Sequence, residues 1–88
     1  MKRYLILYTG TVQGVGFRWR IKNIAHKYNL TGYVKNLSSG DVQVEVQGVG
    51  VDEFLQDSLQ PDFYIEINDY VVKQIPIIEK ERTFEVRF

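Results

Sequence analysis

The chain has 88 residues, 44% of them hydrophobic and 14% aromatic, enough for the core of one domain over residues 1–88 and too few for a second. Eleven basic residues balance eleven acidic ones, which excludes the overall basicity of a nucleic-acid binder. The absence of cysteine excludes disulfides and thiolate chemistry and permits a reducing compartment.

The opening MKRYLILYTG holds an apolar run too brief to span a bilayer and lacks a small-residue cleavage site. It reads as a strand, and the expectation is a cytoplasmic protein without membrane association. Arg3 to Thr9 is apolar on both parities, as in a central strand covered at least partly on both faces. After a glycine-rich segment, Phe17, Ile21, Ile24, Ala25 and Tyr28 form a helical stripe, with Arg20, Lys22, Asn23, His26 and Lys27 opposite. The pattern predicts an amphipathic helix from Gly16–Arg18 to about Asn29. TGYVKNL is a short strand and SSGD a turn. DVQVEVQG then alternates, sending Val42, Val44 and Val46 inward and Asp41, Gln43, Glu45 and Gln47 to a wet face. The two strands form an antiparallel hairpin. Val51, Phe54, Leu55, Ser58 and Leu59 share one stripe of a second helix, closed by Pro61, with Asp52 and Glu53 in its first turn. DYVVKQIPI reads as a strand that Pro76 places at an edge, and TFEVRF alternates so as to bury Phe84, Val86 and Phe88. The order strand, helix, strand, strand, helix, strand, plus a short terminal strand, predicts an α+β fold. It is a ferredoxin-like sandwich: an antiparallel sheet of four or five strands with two helices on one face.

Candidate chemistry gathers in GTVQGVGFRWR, Gly10 to Arg20. The dinucleotide and Walker patterns both fail here, since Trp19 stands at the third glycine position and no Gly-Lys-Ser/Thr follows. Gly14 and Gly16 permit positive φ and close approach of an anion to backbone N–H groups at a helix start. Arg18, on the first turn, offers a two-pronged contact to phosphate or carboxylate. The alternative is that the glycines only turn the chain from strand to helix and that Arg18 is a solvated charge. Asn36 shares strand parity with Val34 and so places an amide on a buried face; equally, it is a residue suited to opening the NLSSGD turn.

The segments Gly10-x-Val12-Gln13-Gly14-Val15-Gly16-Phe17-Arg18 and Gly32-Tyr33-Val34-Lys35-Asn36 closely resemble the two signature segments of the acylphosphatase family. The likeness runs from Gly10 to about Gly48. Beyond that, Gln60-Pro61-Asp62-Phe63-Tyr64 departs from the Gly-Pro the family often carries before its fourth strand. The resemblance implies hydrolysis of acyl phosphates, with the N–H groups of Gln13, Gly14, Val15, Gly16, Phe17 and Arg18, and the Arg18 side chain, holding the phosphoryl oxygens. It implies that the Asn36 amide orients the attacking water.

No histidine near the loop and no clustered acids supply a general base or a metal site, so neither metal nor cofactor is expected. Such a site positions and stabilises charge with little proton transfer, which suits a carboxylate leaving group that departs without an acid. His26 is expected to be solvated, and Trp19 to be a partly exposed aromatic, with flanking of the acyl group as the lesser alternative. Two other readings compete. One is a non-catalytic module that binds phosphate or acyl phosphate, since the family's fold also occurs attached to larger enzymes that handle carbamoyl phosphate. The other is RNA binding by a ferredoxin-like sheet, disfavoured because Phe17 and Arg18 fall at a helix start and the wet strand shows acids and glutamines instead of aromatics. The expectation is a monomeric hydrolase of small acyl phosphates, without a nucleic-acid partner.

Overall fold

Period-two and period-3.6 patterning is translated into seven elements in the computed structural model, which describes residues 1–88. In chain order they are β1 (Lys2–Thr11), α1 (Phe17–Lys27), β2 (Thr31–Asn36), β3 (Val42–Gly48), α2 (Val51–Ser58), β4 (Glu66–Ile75) and β5 (Phe84–Arg87). The strands form one sheet in the order β4-β1-β3-β2-β5. β3 lies antiparallel between β1 and β2, and β4 runs antiparallel along the other side of β1, at an edge as Pro76 indicated.

Both helices pack on one face. The core between them and the sheet contains Ile6, Tyr8, Val34, Val42, Val44 and Val46 from the strands and Phe17, Ile21, Ala25, Val51 and Phe54 from the helices. Tyr8 sets the seam: its ring meets Phe17 edge-on at 5.0 Å, and its hydroxyl lies 2.7 Å from Ser58 Oγ. Ser58 spends its own proton on the Leu55 carbonyl, so the Tyr8 hydroxyl is the donor. Burial pushes the Tyr8 phenol above its ordinary range and keeps it neutral. Arg20, expected on the polar face, instead donates from Nη2 to the Asp57 and Gln60 carbonyls, tying α1 to the C-terminal end of α2.

Four expectations are corrected. The sheet is mixed, because β5 runs parallel to β2. β4 ends at the foot of the sheet, and residues 76–83 cross there to the far edge, so β5 has to start at the foot and rise in the direction of β2. Gln47 is buried instead of wet: its side chain brackets the crossing strand, donating to the Ile78 carbonyl and accepting from the Ile78 N–H, each at 2.8 Å. Phe88 is 95% exposed, since the β2–β5 ladder ends at Arg87 and leaves the last ring beyond it. β4 also begins at Glu66, earlier than the pattern indicated.

Candidate active site

At the upper end of the sheet, where β1 finishes and α1 begins, the chain makes a loop over residues 12–16. Gly14 and Gly16 both adopt left-handed φ, +73° and +80°, and a Cβ at either would meet nothing within 4 Å. The conformation requires glycine while the space beside the loop stays open. The result is a nest at a helix start: the N–H groups from Gln13 to Arg18 donate to no acceptor within the protein. The helix dipole adds positive potential at the same place.

Gln13 does something different from its neighbours. Its side-chain amide donates to the carbonyls of Leu37 and Asp41, both at 2.8 Å, and so fastens the loop across the β2–β3 turn. Val15 is half-buried against the core and anchors the loop's middle. Val12 and Phe17 are buried at its two ends. The loop is thus rigid by packing on one side and open on the other.

The open side is a cavity of about 150 Å³ lined by Val12, Gly14, Gly16, Phe17, Arg18, Trp19 and Asn36. Asn36 is the last residue of β2, and its Oδ1 is buried without a hydrogen-bond partner. A buried amide oxygen left unpaired costs about 1–3 kcal/mol, so this acceptor suits a donor brought in by a ligand or water. Arg18 approaches from α1. Its Nη1 donates to the Arg87 carbonyl at 2.8 Å, and the Phe88 ring lies 4.6 Å from its guanidinium carbon. No carboxylate pairs with it, so its remaining N–H groups are unclaimed.

The structure brings Gly14, Gly16, Phe17, Arg18 and Asn36 to one cavity; Gln13 and Val15 support its wall. Trp19 is 54% exposed at the rim, and His26 is exposed away from the cavity. The sequence reading missed Arg87 and Phe88, which hold Arg18. Their only local signal is the alternation of TFEVRF, and that points Phe88 the wrong way. Nowhere do three or more His, Asp or Glu side chains gather in metal-ligand geometry.

Fold and site define a small α+β protein with unpaired backbone N–H groups and a buried amide around one cavity. A sequence profile described as Acylphosphatase matches residues 4–86. An acylphosphatase of Clostridium acetobutylicum is 38% identical over 98% of this chain and 97% of its own. The crystal structure of acylphosphatase from Bacillus subtilis superposes with a TM-score of 0.93 at 29% identity, covering all of both chains. The likeness extends to part of a larger protein: full-length HypF, in a phosphate- and nucleotide-bound form, matches with a TM-score of 0.83 and 32% identity over 99% of this chain and 12% of HypF. The chain belongs to the acylphosphatase family, hydrolases that act on acyl phosphates. No helix is long and apolar enough to cross a membrane.

Proposed function

We propose that the cavity between the 12–16 loop and Asn36 hydrolyses the carboxyl–phosphate bond of small acyl phosphates, giving a carboxylate and inorganic phosphate. The observation that carries this reading is the buried, unpartnered Oδ1 of Asn36, a residue that lines the same cavity as the loop with its unpaired N–H groups. The N–H groups from Gln13 to Arg18 and the free prongs of Arg18 hold the phosphoryl oxygens, where their charge develops in the transition state. Asn36 Oδ1 accepts a hydrogen from the attacking water and so turns the water's lone pair toward phosphorus. The new bond forms between the water oxygen and phosphorus as the bond from phosphorus to the acyl oxygen breaks. The electron pair leaves on the carboxylate, which needs no acid. The water's proton passes to a phosphoryl oxygen, because no side chain at the cavity is a base.

The donor set here is amide, guanidinium and carboxamide, groups that suit an anion rather than a cation. Action as a monomer in the cytoplasm is part of this reading, and the lack of cysteine is compatible with that compartment. The test is hydrolysis of benzoyl phosphate, with chelator present, beside an alkyl phosphate monoester. Rapid turnover of the first and little of the second is expected. No turnover of either, with inorganic phosphate still bound, would favour the non-catalytic binding module.

A further inference from the structure

Helix α1 contains no acidic residue, and its basic ones sort by partner. Lys27 pairs with Asp57 at 3.0 Å, and Arg20 faces Asp62 and the end of α2. Arg18 belongs to the cavity above. Lys22 and His26 continue the Arg18 stripe one and two turns further on, and neither has a carboxylate partner. The Lys22 ammonium rests only on the Trp19 ring, 5.3 Å from its centroid. Arg82, in the stretch leading into β5, makes no ion pair either.

These three side chains line one groove of about 470 Å³ between α1 and β5, with Asn29, Thr31 and Thr83 beside them and no acid in its walls. The nearest acids in sequence are engaged elsewhere: Glu81 with Arg3 and Glu85 with Arg87. In a chain of zero net charge, Lys22 and Arg82 bring two positive charges without ion-pair partners to one groove, and a bound anion would offset them. Lys22 supplies a point charge, Arg82 a two-pronged fork, and the threonine hydroxyls and Asn29 amide neutral donors. Two permanent cations match a doubly charged anion. The groove shares no residue with the cavity of the 12–16 loop and is about three times its volume, leaving room for more than a bare phosphate.

We propose that this groove is a second anion site, separate from the hydrolytic cavity, for a small phosphorylated molecule carrying two or more negative charges. The test is an NMR titration of backbone amides with inorganic pyrophosphate, using the native protein, Arg18→Ala, and the double variant Lys22→Gln/Arg82→Gln. None of the substituted side chains is in the core, so each variant folds. Saturable shifts at Asn29, Thr31 and Thr83 are expected in the native protein and in Arg18→Ala. In the double variant the affinity falls by about tenfold or more, the loss expected for charge-assisted contacts. Shifts confined to Gly14–Arg18, or groove shifts that the double variant leaves unchanged, would overturn the proposal.

Discussion

Arg3 and Arg18 stand at opposite ends of the same sheet and have opposite surroundings. Arg3, at the foot, is 1% exposed. Its Nε donates to Glu45 Oε1 at 3.1 Å, and its Nη1 donates to Gln47 Oε1 at 3.0 Å and Glu81 Oε1 at 2.8 Å. Burial works against its charge, but Glu81 and Glu45 outweigh that and raise its pKa further. Glu45 in turn accepts from the Tyr33 hydroxyl at 2.6 Å. Arg18, at the top, has a carbonyl and an aromatic ring for company and no carboxylate. A guanidinium matched to acids holds structure together, whereas one held in place without acids keeps its charge for a ligand. The backbone follows the same division: Gln47 satisfies both polar groups of Ile78 at the foot, while the N–H groups of residues 13–18 stay unpaired at the top.

Exchanging the two roles breaks the comparison most visibly at Arg18. Arg18→Ala is expected to lower kcat/KM for benzoyl phosphate by about a thousandfold, the scale of a lost charge-stabilising donor, with the urea midpoint nearly unchanged. Arg3→Met is expected to do the reverse. It leaves Glu45 and Glu81 partly buried without their cation, costing about 3 kcal/mol in urea unfolding, and kcat/KM of the folded fraction stays near native. A variant at Arg3 that lost activity without losing stability would show that the two ends are coupled.

A smaller effect comes from acid. Asp52 is held below its ordinary 3.8 by the Tyr4 hydroxyl and by Lys2, and Asp57 by the Tyr28 hydroxyl and Lys27. A carboxyl lowered in the folded state contributes stability above its unfolded value and loses it as pH falls through the folded one. The urea midpoint should therefore be flat from neutrality to about pH 5 and decline below about pH 4. A midpoint that held steady to lower pH would mean these exposed pairs contribute nothing.

Local pattern carried much of this architecture. The alternation of Val42, Val44 and Val46 and the stripe of Phe17, Ile21 and Ala25 each depend on a period within one element, so inward faces were legible before the fold was known. The loop at Gly14 and Gly16 was legible for the same reason, since its geometry is dictated by residues adjacent in sequence. What the sequence hid depends on distant partners. Nothing local separates Arg3 from Arg18, because Glu81 lies far along the chain and reaches Arg3 only when residues 76–83 cross the foot. That crossing also buries Gln47 and makes β5 parallel to β2. Phe88 continues an inward alternation, yet the ladder stops one residue earlier, and the ring turns to the Arg18 guanidinium instead.

The most direct test of the central claim, that a buried amide oxygen aims water at a phosphoryl group held by others, is the Asn36→Ala variant. Its kcat on benzoyl phosphate should be measured beside its inhibition constant for inorganic phosphate. The expected result is a kcat lower by about a hundredfold or more, as for other lost positioning groups, with phosphate inhibition unchanged. A kcat at the native level would contradict the account, as would a loss of phosphate binding that matched the loss of rate.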